Sequence, residues 1–412
     1  MNPNLNKPVF FSVMAKPVSS ACNLNCTYCY YLEKKKLYPQ EKNFFMSHEL
    51  LEIFVKNYIS AQQGPLISFV WQGGEPTLYS TDFFKKAIEL QQKYAGKKTI
   101  TNAFQTNGTR LTAEWCELFR RNNFLVGISI DGPEHVHNLH RINKAGNPTF
   151  SGVMDSIEML KKYQIEFNTL TVVHRESPKF ALEIYRFLKQ IGSGFMQFIP
   201  IVERTALEGN NEELKLVNHL FRKKAEVTPW SVLPEDYGQF LITIFDEWVR
   251  HDVGKYFVQL FDVTLANWVG ENPGLCVFNE TCGDAVVMEY NGDIYSCDHF
   301  VYPEFRLGNL RNKGLQEMVT SPEQLSFGMN KLNKLPRYCQ VCEYRFACHG
   351  ECPKHRFMKT PEGEYGLNYL CKGYKMFFKH VHPYMQFMGD ELEQKRPPAN
   401  VMAWAKKIIP GK

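Results

Sequence analysis

Between residues 11 and 202, short apolar runs alternate with longer amphipathic stretches, and this alternation constrains the fold more than any other property of the chain. FSVMAK (11–16), LISFVWQ (66–72), TNAFQT (101–106), FLVGISI (124–130), NTLTVV (168–173) and FMQFIPIV (195–202) read as buried strands. The stretches between them read as helices, with Ser47, Ser80, Thr112 and Ser177-Pro178 standing where helices should start. Parallel neighbours need a helical crossover, so the pattern predicts an α/β fold built on a parallel sheet, a partial TIM-like barrel of six β/α units. In such sheets ligands sit beyond the carboxyl ends of the strands. There the sequence is polar and glycine-rich: Gly73-Gly74-Glu75, Asn107-Gly108 and Asp131-Gly132-Pro133.

Residues 203–231 break the alternation with a charged stretch that reads as an insertion or linker. A helix is expected over 236–250, and NGD at 291–293, between VVMEY and IYSCD, reads as a hairpin turn. After Cys371 helical periodicity runs to about Leu392 and meets a Pro-Pro break. The net charge of +5 is spread over a 412-residue chain without a block of one sign, which argues against a nucleic-acid-binding stripe. The first residues lack the pattern of a secretory signal, and no apolar run approaches the roughly 18 residues of a membrane helix. A cytoplasmic protein with no membrane or nucleic-acid partner is expected.

Twelve cysteines in such a chain point to metal ligation, because cytosolic thiols are kept reduced. They fall in two groups: Cys22, Cys26 and Cys29, then Cys276, Cys282, Cys297, Cys339, Cys342, Cys348, Cys352 and Cys371. Cys116 stands alone and reads as a buried, inert thiol. The first group has the spacing C-x3-C-x2-C at the end of the first strand, with no fourth ligand at zinc-finger spacing nearby. Three thiolates on a 4Fe-4S cube leave one iron open. Eight cysteines make two sets of four, and a cube with four thiolates has no open iron and carries electrons. Structural zinc is the competing reading for both groups, and spacing alone allows several partitions of the eight.

C-x3-C-x2-C with an aromatic residue, Tyr28, before the last cysteine resembles the signature of the radical S-adenosylmethionine enzymes. WQGGEP (71–76), at the end of the second strand, is similar to that family's GGE motif. The resemblance implies a 4Fe-4S cluster on Cys22, Cys26 and Cys29 that cleaves S-adenosylmethionine. It also implies cofactor contacts from Tyr28, Gly73, Gly74, Glu75, Ser129, Arg141 and the backbone of Val202; Gln72 is a candidate for cofactor or substrate. C-x2-C-x5-C-x3-C from 339 to 352, followed by Cys371, resembles the SPASM extension of peptide-modifying radical enzymes. That likeness implies an inner cluster on Cys276, Cys282, Cys297 and Cys352 and an outer one on Cys339, Cys342, Cys348 and Cys371, three clusters in all. His299 and His349 would then be hydrogen-bonding neighbours. The implied division is a radical domain over 1–235, a helical linker over 236–275, the SPASM domain over 276–375 and a helical tail over 376–412.

SCDHF (296–300), HNLHR (137–141) and GLNYLCKGY (366–374) are similar to the anaerobic sulfatase-maturating enzymes, over essentially the whole chain. This resemblance implies oxidation of a cysteine or serine in a sulfatase C/S-x-P-x-R segment to formylglycine, with a flavodoxin or ferredoxin as electron donor. Hydrogen removal from the β-carbon must be matched by loss of a proton, and Asp298, directly after Cys297, matches the family's catalytic aspartate. By itself it would read as a turn carboxylate. Two rival functions are a SPASM enzyme that crosslinks or epimerises a ribosomal peptide and a non-enzymatic iron-sulfur electron carrier.

Overall fold

The computed structural model describes residues 10–34, 44–206, 216–217, 221 and 224–408. All six expected strands are present: β1 (Ser12–Ala15), β2 (Leu66–Trp71), β3 (Thr99–Thr106), β4 (Leu125–Ser129), β5 (Phe167–Val173) and β6 (Phe195–Pro200). They lie side by side in chain order, each parallel to the next. Helices α1 (His48–Ala61), α2 (Thr81–Ala95), α3 (Ala113–Arg121), α4 (Phe150–Lys162) and α5 (Ala181–Gln190) provide the crossovers that parallel pairing requires.

Strand alternation separates a packed face from a functional one. Ile67, Phe69 and Trp71 of β2 are buried, and Phe54 and Tyr58 of α1 meet the latter two rings edge-on at centroid distances of 5.0–6.1 Å. The opposite face carries polar and small groups: Gln105 of β3 donates to Ser129 of β4 at 3.1 Å and lies against Gly127, where a Cβ would come within 2.1 Å of the Gln105 amide oxygen. Helix starts follow the capping residues unevenly. Ser47 and Thr112 accept from the amides of Leu50 and Trp115, whereas Ser80 stands at its cap position without a side-chain bond. Ser177-Pro178 opens a short 3₁₀ turn, and α5 itself begins at Ala181 because the Ser177 hydroxyl accepts from the amide of His174 behind it.

Much of 203–231 lies outside the described residues; what is described forms an antiparallel pair, β7 (Arg204–Ala206) and β8 (Ala225–Val227). The main sheet then continues past the six strands. β9 (Phe257–Val258) runs parallel beside β6, and β10 (Ala285–Met288) runs parallel beside β1, followed by antiparallel β11 (Asp293–Tyr295) and β12 (Arg306–Asn309). The expected NGD hairpin joins β10 to β11, with the Gly292 amide donating to the Glu289 carbonyl at 2.9 Å. The cysteine-rich segment is thereby hydrogen-bonded to the barrel edge next to the strand that leads into Cys22. Helices α6 (Pro234–His251), α7 (Gln259–Trp268) and α8 (Pro322–Asn333) follow in the chain, then α9 (Cys371–Glu393) and α10 (Val401–Ile408). Helix α9 begins at the last cysteine and crosses α6 at Gly238 and Gly373, where a Cβ on Gly373 would sit 2.0 Å from the Pro234 carbonyl oxygen. Among the described residues no helix is long and apolar enough to cross a membrane.

Candidate active site

The loop after β1 carries the first three cysteines, and it is laced to its surroundings through the backbone. The amides of Asn25 and Thr27 donate to the carbonyls of Ile142 and His140 at 2.8 and 3.0 Å. From the other side the amides of Gly74 and Glu75 donate to the carbonyls of Ser19 and Ala21, each at 2.8 Å. A Cβ on Gly74 would lie 2.0 Å from the Ala21 oxygen, so only glycine allows this approach. Gly73, at φ +127°, turns the chain out of β2 just after Gln72, whose amide donates to the Ala15 carbonyl at 3.0 Å. The three cysteines share one small cluster with Leu24, Tyr28, Val172, Ile201 and Trp230. Burial pushes the Cys22 thiol up to about 11 and Cys26 up to about 12.

Glu75 is fully buried, and four protein donors fill its carboxylate: the Thr77 amide and hydroxyl at 3.0 and 2.7 Å, the Thr106 hydroxyl at 2.7 Å and the Asn107 amide at 2.7 Å. It ties the end of β2 to the end of β3. Asn107 in turn extends its side-chain amide to the Cys22 sulfur at 3.6 Å.

Asp131, at the end of β4, ties together two of the expected cofactor residues. It is fully buried, lies 2.9 Å from Nε of Arg141, accepts from the Tyr28 hydroxyl at 2.5 Å and from the Val172 amide at 3.0 Å. Burial would raise its carboxyl, but the Arg141 guanidinium holds it below the usual range. Sequence reasoning noticed Asp131 as a polar residue after a strand and gave it no role; the aromatic-basic pair that it joins is assembled only by the fold.

Asp298 opens a short 3₁₀ turn directly after Cys297. It is an ion pair with Lys16 at 2.5 Å, and its other oxygen accepts from the hydroxyls of Tyr30 and Tyr31 at 2.7 and 2.5 Å. Burial would raise its carboxyl, yet the charge and hydrogen bond of Lys16, with the Tyr31 hydroxyl, hold it well below the ordinary carboxylate range. Lys16 is 1% exposed, follows β1 directly, and also faces Glu289 at 3.4 Å. Lys16, Tyr30 and Tyr31 escaped sequence reasoning because the pairing of β1 with β10 is what brings them to Asp298. Val202 and His299 line a common hollow with Glu203, Arg204, Lys354 and Phe357.

The eight later cysteines separate into two sets. Cys276, Cys282 and Cys297 lie within electrostatic reach of one another, and Cys352 within reach of Cys276 and Cys297. Cys339, Cys342, Cys348 and Cys371 line a second hollow together with Tyr344 and Tyr374. Nδ1 of His299 is 3.6 Å from the Cys352 sulfur, whereas Nδ1 of His349 is buried without a partner among the described residues. Cys116 is fully buried on α3, and burial pushes its thiol up to about 11. None of the twelve cysteines is in a disulfide. Among the described residues no three His, Cys, Asp or Glu side chains converge closely enough to hold a single metal ion.

Residues 17–188 match the radical SAM superfamily and residues 276–343 match an iron-sulfur cluster-binding domain, SPASM. A serine-type anaerobic sulfatase-maturating enzyme of Bacteroides thetaiotaomicron is 52% identical over 96% of this chain and 95% of its own length. The chain belongs to the anaerobic sulfatase-maturating enzymes. A cysteine-type member from Clostridium perfringens is 34% identical over 90% of this chain and 96% of its own. The solved structure of native anSMEcpe with bound AdoMet and Cp18Cys peptide superposes with a TM-score of 0.80 at 32% identity, covering 92% of this chain and 99% of that one. As a sulfatase-maturating radical SAM enzyme, the chain carries a radical SAM domain and an additional iron-sulfur cluster-binding domain.

Proposed function

We propose that this enzyme oxidises a cysteine or serine in a sulfatase C/S-x-P-x-R segment to formylglycine, in the cytoplasm, with a flavodoxin or ferredoxin as electron donor. The observation that carries the reading is that the loop with three thiols runs on into Tyr30 and Tyr31, whose hydroxyls hold Asp298, a half-buried carboxylate paired with Lys16. Cys22, Cys26 and Cys29 would hold the first 4Fe-4S cluster, which supplies the electron that splits S-adenosylmethionine into methionine and a carbon radical. Cys276, Cys282, Cys297 and Cys352 would hold an inner auxiliary cluster, and Cys339, Cys342, Cys348 and Cys371 an outer one, making three. The working division is a radical domain over 1–235, helical packing over 236–275 and 376–412, and the two auxiliary clusters over 276–375.

The chain's own groups then have distinct tasks. The backbone of Gly73 and Gly74 would hold the cosubstrate's amino group, while Glu75, with its oxygens already filled, fixes the strand ends that would present it. Arg141 and Ser129 would serve its carboxylate and ribose, Val202 would add a backbone contact, and Tyr28 keeps Arg141 in place through Asp131. Gln72, at the end of β2, would contact cofactor or substrate. Two electrons leave the substrate residue, one with the hydrogen atom taken from the β-carbon and one on its own, which equals the two that S-adenosylmethionine takes up. The proton from the substrate thiol or hydroxyl would go to Asp298, the carboxylate directly after Cys297. Water hydrolyses the thioaldehyde from cysteine and releases sulfide; serine gives the aldehyde directly.

Anaerobically reconstituted enzyme with reductant, S-adenosylmethionine and peptides containing C-x-P-x-R or S-x-P-x-R tests the proposal by mass spectrometry. The expected result is 5′-deoxyadenosine together with aldehyde in at least one peptide. Deoxyadenosine without aldehyde in either peptide would reject formylglycine formation.

A further inference from the structure

The segment from Cys348 to Cys352 connects the two cysteine sets, and its backbone is unusual. Its three intervening residues are all left-handed: His349 at φ 45°, Gly350 at 71° and Glu351 at 50°. For residues other than glycine that conformation is disfavoured, so the surroundings must impose it. Arg356 does so. Its guanidinium, buried at 7% exposure, donates to the carbonyls of His349 at 2.8 Å, Gly350 at 2.8 Å and Glu351 at 3.0 Å. A fourth bond, 2.5 Å long, runs to the carbonyl of Lys331. Gly350 allows this wrapping, since a Cβ there would lie 2.7 Å from the guanidinium.

Lys331 continues the clamp. It is fully buried, and its ammonium donates to the carbonyls of Cys276 at 2.6 Å, Val277 at 2.9 Å and Asn279, the loop that leads to Cys282. Arg356 lies within electrostatic reach of thiols from both sets, Cys282 and Cys352 on one side and Cys339 and Cys348 on the other. Glu351, the nearest carboxylate, is engaged by Nδ1 of His355 at 3.0 Å and by the Asn368 amide at 2.5 Å. An arginine keeps its charge when buried, and a cation between two negatively charged cubes favours the reduced, more negative form of each.

We propose that Arg356 is the positioning residue that fixes the two auxiliary clusters relative to each other and, by its charge between them, raises the reduction potential of both. This rests on the ligand assignment proposed above. Arg356→Gln and Arg356→Lys variants of the full chain, reconstituted anaerobically, are compared by iron content and by potentiometric titration of the electron paramagnetic resonance signals. Arg356→Gln should lower the midpoint potentials of both auxiliary signals and leave the first cluster's unchanged. Arg356→Lys should keep the potentials near those of the parent while altering the broadening that each auxiliary cluster imposes on the other, because one ammonium cannot reach four carbonyls. Loss of auxiliary iron in Arg356→Gln with retention in Arg356→Lys would also support the proposal. Full iron and unchanged potentials in Arg356→Gln would overturn it, as would Arg356→Lys with full iron and lowered potentials. A parent protein that binds iron at the first site alone would instead remove the ligand assignment.

Discussion

The two cysteine regions are held by different means. The first loop is fixed by backbone pairing to the GGE turn and to residues 140–143, with Asp131 and Arg141 closing the network beside it. The second region has short turns, and buried cations, Lys331 and Arg356, gather its carbonyls. On the proposed ligand assignment, the first loop's three thiols would leave one iron open to a small cosubstrate, and the four thiols of each later set would leave none, as suits electron transfer. The difference separates the site of radical formation from the sites that would carry the electron away.

The largest expected effect that could break this comparison is at Cys26. Cys26→Ala should abolish 5′-deoxyadenosine formation, while the eight later cysteines still bind iron; cleavage surviving at the parent rate would show that the first loop is not where the cosubstrate is split. Next is Asp298→Asn. It should leave deoxyadenosine formation and iron content intact and slow aldehyde formation by about 10²–10⁴-fold, the usual contribution of a general base. Equal peptide turnover would remove Asp298 from the proton path.

Smaller effects sharpen the account of how the first loop is pinned. Gly74→Ala must displace the Ala21 carbonyl and should cost about 1–3 kcal/mol of stability in denaturant unfolding, with iron loss confined to the first site. Unaltered stability would show that the turn yields easily. Burial pushes His137 down to about 3 and His174 down to about 4, from an ordinary 6.5. The unfolded chain therefore takes up protons first, and stability should fall as pH drops from about 6.5 toward 4. His137→Gln should flatten that slope; an unchanged slope would place the acid sensitivity elsewhere.

Much of this architecture was legible in the sequence because it repeats. Six apolar runs separated by amphipathic helices left one sensible topology, and the strands fell within a few residues of their expected places. The cysteine spacing and WQGGEP pointed to the family for the same reason, being local patterns. What escaped was non-local. β9 is two residues long and has no periodicity to detect, yet it extends the sheet. The Lys16–Asp298 pair spans most of the chain and exists only because β10 pairs with β1. Glu75 is conspicuous in its motif, but that its oxygens are filled from β3 becomes visible only when β2 and β3 are neighbours.

Electron-nuclear double resonance on the reduced protein with all eight later cysteines changed to alanine, which retains only the first site, tests the central claim most directly when S-adenosylmethionine labelled at its amino nitrogen and carboxylate oxygen is added. Hyperfine coupling from both labels to one iron is the predicted result. A fully formed cluster that shows no coupling to either label would contradict it.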